Sequence, residues 1–227
     1  MKLPTLDYAK SDRFPAVSTA LVSPNGLLAM GGDLSTSRLV AAYRRGIFPW
    51  FSEGQPILWW SPDPRMVLVP SEFRASRSLA KRVRSAGWRI SADSAFLPVI
   101  HACATTPREG QNGTWICPPM VSAYTRLHRE GIAHSIEVWE GATLVGGLYG
   151  LALGRMFYGE SMFSHRSDAS KAALWWLCQH LSERGFPLID CQMHTAHLES
   201  LGAKTVPRSK FAIRVDELAN QPDAWGS

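Results

Sequence analysis

From Met66 onward, short apolar runs recur along the chain and are separated by segments in which apolar positions follow a helical repeat. Apolar runs bounded by glycine, proline or charged turn residues are typical of β-strands. The pattern predicts seven strands, at Met66–Val69, Trp88–Ser91, His134–Trp139, Thr143–Leu151, Arg155–Ser161, Pro187–Met193 and Phe211–Val215. Three of them follow one another directly between two helical segments, which favours an antiparallel meander continued by a strand–helix–strand unit.

Four segments carry the start and stop signals of helices. In the first, Ser35 is a suitable N-cap, Leu39 and Tyr43 share one face, and Gly46 is a suitable end. The other three predicted helices are Ser76–Ala86, Pro118–Glu130 and Ala169–Arg184, the last capped by Ser167 or Asp168. Strands and helices together predict an α+β fold.

The first 62 residues differ from the rest because turn signals such as Ser23-Pro24-Asn25-Gly26 interrupt them at short intervals. We therefore predict a small, irregular N-terminal domain over residues 1–62. The proline-rich segment Ser61-Pro62-Asp63-Pro64 would separate it from a second domain over residues 63–227. The predicted sheet of that domain is mixed and mostly antiparallel, and it resembles the acyltransferase folds related to the GCN5 N-acetyltransferases.

Composition places the chain among folded proteins, since 45% of its 227 residues are hydrophobic and 19% are charged. The four cysteines form no CxxC pair, and the sequence begins without an apolar segment of the secretory type. The longest nearly apolar run, residues 144–154, is too short to cross a bilayer. These features predict a cytoplasmic protein with free thiols and no membrane span.

A net charge of +5 becomes informative once the basic residues are located. Between residues 72 and 89 there are six basic residues and one acid, and five of the basic residues cluster at Arg74, Arg77, Lys81, Arg82 and Arg84. On a helix, positions 77, 81 and 84 form one stripe, which suits a phosphate backbone. The alternative is an ordinary solvated face of charged residues.

Aromatic residues are concentrated near the predicted domain boundary, where Trp50, Trp59 and Trp60 lie close together in the sequence. Most tryptophans fill cores, but an indole beside a basic helix can also stack on the unpaired bases of a single-stranded RNA end. Trp115 is a further candidate for such a role.

Polar side chains interrupt two apolar strands, at Glu160 and at the pair Asp190 and Gln192. By the two-residue period of a strand, Asp190 and Gln192 share a face. Such groups must be hydrogen-bonded when buried, so they form either a satisfied core network or a site that binds or activates an amine.

The sequence lacks the motifs that usually bind a metal or a nucleotide cofactor. The Cys191, His194 and His197 spacing does not converge on a metal if a strand runs into a loop there. The sequence contains neither a phosphate-binding loop nor a dinucleotide fingerprint. We therefore predict neither a metal nor another cofactor.

Several long strings resemble one family, the bacterial leucyl/phenylalanyl-tRNA–protein transferases. They are Asn25–Leu34, Ala42–Phe51, Ile57–Arg65, Ala133–Trp139, Leu144–Gly150, Gly159–Ser164 and Leu188–Gln192. The resemblance runs in order from about residue 14 to residue 211, and strings of such mixed composition are specific.

The resemblance implies an enzyme that moves Leu or Phe, and also Met, from aminoacyl-tRNA to proteins with an N-terminal Arg or Lys. The new peptide bond would mark these proteins for N-degron proteolysis. It implies a monomer that binds Leu-tRNA and Phe-tRNA and uses no metal or cofactor.

Site residues follow from the same resemblance, position by position. Trp50 and Trp115 would hold the terminal adenosine of the tRNA. The amino-acid pocket would be lined by Leu148, Phe157, Met162, Leu174, Leu177 and Ile189. The reacting centre would hold Glu160, Asp190 and Gln192. The basic stripe inferred above from the charge pattern, Arg74, Arg77, Lys81, Arg82 and Arg84, would then bind the tRNA backbone.

Two other functions compete with this one. An acyl-CoA-dependent N-acetyltransferase would share the fold class, but residues 163–169 lack the glycines expected of a pyrophosphate-binding loop. A tRNA-binding module without catalysis would need only the basic helix and the tryptophans, and it would leave Asp190 and Gln192 as core residues.

Overall fold

The computed structural model describes residues 3–107 and 115–226. Its N-terminal part holds four short strands and one helix. These are β1 (Thr5–Leu6), β2 (Leu27–Gly31), α1 (Thr36–Tyr43), β3 (Phe48–Pro49) and β4 (Leu58–Trp60). The strands form a small sheet in the order β1-β2-β4-β3. As predicted, the Ser35 hydroxyl caps α1 by accepting a hydrogen bond from the backbone N–H of Arg38.

The remainder of the chain builds one seven-stranded sheet with helices on both faces. Its elements are β5 (Arg65–Leu68), α2 (Arg77–Ser85), β6 (Arg89–Ala92), α3 (Phe96–Thr105), α4 (Pro118–Arg129), β7 (Ala133–Glu140), β8 (Thr143–Leu153), β9 (Met156–Ser164), α5 (Ala169–Glu183), β10 (Leu188–Gln192), α6 (Ala196–Ser200), β11 (Lys204–Val206) and α7 (Arg208–Ala219). The strand order is β11-β5-β10-β9-β8-β7-β6. The predicted mixed and mostly antiparallel sheet is confirmed.

The centre of the sheet combines two kinds of strand pairing. Strands β6 to β9 form an antiparallel meander, whereas β10 returns through α5 to lie parallel to β9. The β9–β10 pairing ends at Asp190 and Tyr158, although β9 continues to Ser164. An opening therefore forms between the two strands beyond that point.

Close packing of α5 on the sheet explains a glycine in β8. A Cβ atom added to Gly146 would lie 2.5 Å from the Cβ of Ala169, in the first turn of α5. Real Cβ atoms do not approach so closely, so a glycine here lets the helix lie directly on the strand. The predicted strand at Thr143–Leu151 and the predicted helix at Ala169–Arg184 are both confirmed, with small differences at their ends.

The predicted strand at Phe211–Val215 is wrong, because these residues lie within α7. The alternation of Phe211, Ile213 and Val215 resembles a half-buried strand. In the structure Ile213 is 61% exposed, and the buried face of α7 instead consists of Phe211, Val215, Leu218 and Ala219.

Helix α3 was not predicted, because Pro98 interrupts its sequence. The proline lies in the first turn, where the helix does not need its N–H.

Two apolar clusters fill the space on either side of the large sheet. One contains residues of the N-terminal sheet together with α3, α4 and α7, and the other lies beneath α5. The N-terminal part therefore packs directly on the large sheet. No helix in the described parts of the chain is both long and apolar enough to cross a membrane.

Candidate active site

A cavity of about 110 Å³ lies at the opening between β9 and β10, with β8, α5 and α6 completing its walls. The six apolar residues expected at an amino-acid pocket all line it: Leu148, Phe157, Met162, Leu174, Leu177 and Ile189. Glu160 and Gln192 add polar groups to the same cavity. A cavity of about 150 Å³ lined by aliphatic and aromatic residues holds benzene, so this one has the size of a single apolar side chain.

Five further residues of the wall were not among the predicted site residues: Tyr149, Gly159, Ser161, Cys191 and Leu198. Cys191 lies between two predicted site residues in the sequence, and this position could have indicated that it lines the cavity. Leu198 lies in the short helix α6, whose approach to the cavity depends on the path of the chain after β10.

The carboxylate of Glu160 accepts hydrogen bonds from three side chains on different elements. Its Oε1 atom accepts from the Tyr43 hydroxyl of α1 at 2.7 Å and from Nε2 of Gln192 at 2.8 Å. Its Oε2 atom accepts from the Tyr124 hydroxyl of α4 at 3.1 Å. The two tyrosine hydroxyls are also hydrogen-bonded to each other. Neither tyrosine was predicted as a site residue.

Burial raises the pKa of Glu160 to about 7, and the nearby negative charge of Asp190 acts in the same direction. The hydrogen bonds from Tyr43, Tyr124 and Gln192 oppose this shift by stabilising the carboxylate. Burial, together with the charge of Glu160, raises the pKa values of both tyrosines well above their usual range. The tyrosines therefore remain neutral donors, while Glu160 can gain or lose a proton near neutral pH.

Gln192 is held in place by its own backbone as well as by its side chain. Its φ angle is +62°, a left-handed conformation that is unusual for a residue with a side chain. The register of β10 against β5 shifts between Asp190 and Gln192, and the Gln192 N–H donates to Oδ1 of Asp190 at 2.9 Å. This irregularity turns the Gln192 side chain toward Glu160.

Asp190 forms a fully buried ion pair with Arg65 of β5. The guanidinium donates from Nε to Oδ1 at 2.8 Å and from Nη2 to Oδ2 at 2.6 Å, and both side chains are 0% exposed. Arg65 also donates to the carbonyl of Gly46 at 3.1 Å and lies between the rings of Phe48 and Phe211. Such bidentate geometry with further hydrogen bonds is what a buried pair requires.

This placement changes what Asp190 can do at a reacting centre. Both of its oxygens accept from Arg65, and Asp190 is not among the residues that line the cavity. Its carboxylate is linked to the cavity through the N–H of Gln192, which donates to Oδ1. Arg65 was missed because its partner is 125 positions away in the sequence. A charged residue at the start of an apolar strand was the available signal.

The basic helix is as predicted, with Leu79 buried against the body of the protein and Ser76 as its cap. All five basic residues expected to bind the tRNA backbone are exposed: Arg74, Arg77, Lys81, Arg82 and Arg84. Arg82 differs from the others because its Nε donates to Asp168 at 3.0 Å. Asp168 occupies the N-cap position of α5, but its side chain binds Arg82 and Lys171 instead of the helix N–H groups.

The two candidate adenosine-binding tryptophans lie outside the cavity wall. Trp50 is half-buried at the end of β3, where its ring contacts Trp60 edge-on at 5.3 Å. Trp115 is half-buried just before α4 and packs on the same apolar cluster as Trp50. Trp59 is fully buried, and its indole N–H donates to the carbonyl of Gly31, so it is a core residue.

The Cys191, His194 and His197 set does not converge on a metal in the structure. Among the described residues there is no group of three or more His, Cys, Asp or Glu side chains that could hold a metal ion. His194 is instead paired with Glu199 at 3.0 Å, and Cys191 lines the apolar cavity.

The architecture is an α+β domain with a fold like that of the GCN5 N-acetyltransferases, preceded by a small N-terminal domain. The evidence is the antiparallel meander, the parallel strand that returns through α5, and the cavity where the two central strands diverge. The solved structure of FemX shares the fold, with a TM-score of 0.50 and 11% sequence identity over 76% of this chain and 66% of that chain.

Sequence comparison identifies the family. The family model for leucyl/phenylalanyl-tRNA protein transferase matches residues 67–216, and the model for its N-terminal domain matches residues 32–63. A leucyl/phenylalanyl-tRNA–protein transferase of Thiobacillus denitrificans is 60% identical over 96% of both chains. One of Stutzerimonas stutzeri is 57% identical over 96% of this chain and 97% of its own. The chain belongs to the leucyl/phenylalanyl-tRNA–protein transferase family.

The buried ion pair predicts a large effect on stability. Asp190→Asn removes the counter-charge of a fully buried guanidinium, so we expect the free energy of unfolding to fall by about 3–5 kcal/mol. Denaturant unfolding measures this loss. The double variant Arg65→Met, Asp190→Leu should recover most of it, since apolar replacement of a whole buried pair is often neutral.

Asp168→Asn is the matched control, because that carboxylate binds the half-exposed Arg82 and is not in the core. Its expected cost is at most about 1 kcal/mol. Equal losses for the two Asp→Asn variants would contradict a special role for the buried pair.

Proposed function

We propose that this protein transfers Leu or Phe, and also Met, from aminoacyl-tRNA to the α-amino group of proteins that begin with Arg or Lys. The observation that carries the proposal is an apolar cavity of one side chain's size with Glu160 and Gln192 on its wall, in a chain of this family. The product would be marked for N-degron proteolysis.

The cavity supports the choice of amino acid. Its wall is formed by aliphatic and aromatic side chains together with Met162, so a charged or strongly polar side chain would lose its hydration there. Side chains that are not branched at Cβ, such as those of Leu, Phe and Met, fit such a wall. Discrimination against Ile and Val depends on shape alone, which is worth about 1–3 kcal/mol.

Glu160 and Gln192 support the peptide-bond chemistry. The ester of aminoacyl-tRNA is already activated, so the enzyme has to orient the amine, accept its proton and stabilise the oxyanion. Because Nε2 of Gln192 donates to Glu160, the amide oxygen of Gln192 is left as an acceptor for the incoming amine. Glu160, with a pKa of about 7, suits proton transfer at neutral pH.

In the proposed step, the neutral amine attacks the ester carbonyl carbon and forms the new C–N bond while its proton passes to Glu160. The C–O bond to the terminal ribose of the tRNA then breaks. The leaving ribose oxygen takes the proton back from Glu160, which restores the enzyme. Tyr43 and Tyr124 would stabilise the carboxylate before the first transfer and again after the second.

The acceptor's basic N-terminal residue needs a local negative charge in a protein that is positive overall. Glu160 is the carboxylate that lines the cavity, whereas the charge of Asp190 is compensated by Arg65. We therefore assign acceptor recognition to Glu160 and a positioning role to Asp190.

The tRNA would be held in two ways. The exposed cations of α2 would contact phosphates, and the half-buried rings of Trp50 and Trp115 would stack on the terminal adenosine. We further propose that the protein acts in the cytoplasm as a monomer and that its two domains meet near residues 62–63.

A single transfer assay separates this function from its two competitors. The protein is supplied with labelled Leu-tRNA, and separately with labelled acetyl-CoA, together with a peptide that begins with Arg. We expect label on the peptide from Leu-tRNA only. Label from acetyl-CoA would support an acetyltransferase, and tRNA binding without transfer would support a binding module.

The raised pKa of Glu160 predicts the pH profile. Below pH 7 both Glu160 and the acceptor amine, whose pKa is about 8, are protonated, and each must lose a proton before reaction. The logarithm of kcat/KM should therefore rise with a slope near 2 up to about pH 7 and near 1 from there to about pH 8.

Glu160→Gln keeps the size of the side chain but cannot take a proton. We expect it to lower kcat/KM by roughly 10²- to 10⁴-fold. The logarithm of its remaining kcat/KM should rise with pH at a slope near 1 up to about pH 8, because only the acceptor amine then has to lose a proton. The same profile in both proteins would remove Glu160 from the proton transfer.

The basic helix predicts the salt dependence of tRNA binding. The logarithm of the tRNA association constant falls as the logarithm of the salt concentration rises. Each lost phosphate contact makes this slope less steep by about one unit. Replacing Arg77, Lys81 and Arg84 together with Ala should therefore reduce the slope by about three units. Arg82 is left intact, because its replacement would also break its ion pair with Asp168.

The control removes the same charge from scattered exposed positions, Arg13, Arg129 and Lys210. Filter binding or fluorescence titration of Leu-tRNA at several salt concentrations gives both slopes. If the two triple variants change the slope equally, α2 is an ordinary solvated face.

A further inference from the structure

A tryptophan from the segment after α7 packs behind the wall of the amino-acid cavity. The ring of Trp225 is stacked on that of Phe157, with 5.7 Å between the ring centroids and 24° between the planes. Phe157 lines the cavity, whereas Trp225 is not one of its lining residues. Trp225 therefore affects the cavity only indirectly, through its contact with Phe157.

Trp225 is held on its other sides by a polar and aromatic cluster. Its indole N–H donates to Oδ2 of Asp93 at 3.0 Å, and its ring is stacked on His134 at 4.1 Å. The His134 ring and the Ser135 N–H bind the same carboxylate, each at 2.9 Å. A ring fixed by a half-buried acceptor and an aromatic neighbour has little freedom to move.

Phe157 has a second close neighbour, the backbone of Gly150 on β8. A Cβ atom added to Gly150 would lie 2.6 Å from Cε1 of Phe157, so the phenyl ring occupies the space that a side chain at position 150 would need. The position of the ring is therefore set by Gly150 and Trp225 together. Loss of Trp225 would leave space into which the ring could withdraw.

We propose that Trp225 is a specificity-determining residue that sets the depth of the amino-acid cavity by fixing the ring of Phe157. The inference rests on the proposed function of the cavity as the acyl side-chain pocket. With Trp225 in place, a branched aliphatic side chain fills the cavity and a phenyl side chain must compete with Phe157 for space. Without Trp225 the cavity deepens, and kcat/KM for the larger phenyl side chain rises relative to that for the aliphatic one.

The test compares kcat/KM for Phe-tRNA and Leu-tRNA in the wild type, Trp225→Ala and Trp225→Phe. We expect the Phe-to-Leu ratio to rise roughly 10-fold in Trp225→Ala, the scale of a change of one or two methylene groups in a pocket. Trp225→Phe keeps a ring against Phe157, so its ratio should stay near that of the wild type despite the lost bond to Asp93.

Trp139→Ala is the matched control. Trp139 is also half-buried, and its indole N–H also donates to a side chain, Ser91 at 2.9 Å, but its ring lies over Arg89 at the sheet edge. It should lose stability without a change in the Phe-to-Leu ratio. Thermal unfolding is recorded for every variant, and Trp225→Leu replaces Trp225→Ala if the latter is unfolded at the assay temperature.

The inference is separable from the proposed function. The same variants are titrated with the stable amide analogues of phenylalanyl- and leucyl-adenosine, and the ratio of dissociation constants should shift in the same direction as the ratio of kcat/KM. An unchanged ratio in Trp225→Ala, with a stability loss like that of Trp139→Ala, would reduce Trp225 to a structural anchor. Absence of transfer by the wild type would overturn the proposed function, while the binding ratio would still decide the inference.

Discussion

The buried pair of Arg65 and Asp190 is the constraint on which the arrangement of the site depends. Removing two charges from water is costly, and the structure offsets that cost with two charge-assisted hydrogen bonds, the Gly46 carbonyl and two aromatic rings. These groups come from the N-terminal sheet, from the two strands of the pair and from α7. The same carboxylate accepts a hydrogen bond from the Gln192 N–H, so packing of the core and placement of the Gln192 side chain depend on one group.

The N-terminal part contributes directly to the candidate site, because Tyr43 is one of the three hydrogen-bond donors to Glu160. Tyr43 from α1 and Tyr124 from α4 meet at this carboxylate, although they are 81 positions apart in the sequence. Burial favours the protonated acid, and the hydroxyl donors favour the carboxylate. The balance brings the group into the range where proton transfer at neutral pH is efficient.

The opening between β9 and β10 forms the cavity of the candidate site. Two parallel strands that diverge leave a space lined by the side chains of both, and α5 closes it with an apolar face. In this chain the space has a volume of about 110 Å³, and Glu160 and Gln192 add polar groups to its largely apolar wall. Under the proposed function, the side chain of the acyl group would lie against the apolar residues and its carbonyl carbon near the two polar groups.

Hydrophobic periodicity by itself determined most of the strands of the large sheet, helices α1, α2, α4 and α5, and the α+β class, because local spacing records which face of each element is buried. It failed at Phe211–Val215, where an alternating pattern lies in a helix, because alternation does not reveal that Ile213 faces solvent. Polar interruption of apolar strands pointed to Glu160, Asp190 and Gln192, and resemblance of the strings to a family pointed to the six apolar residues that line the cavity. Only the tertiary structure paired Asp190 with Arg65, brought the tyrosines to Glu160 and stacked Trp225 on Phe157, because such contacts join residues far apart in sequence and depend on how separate elements pack.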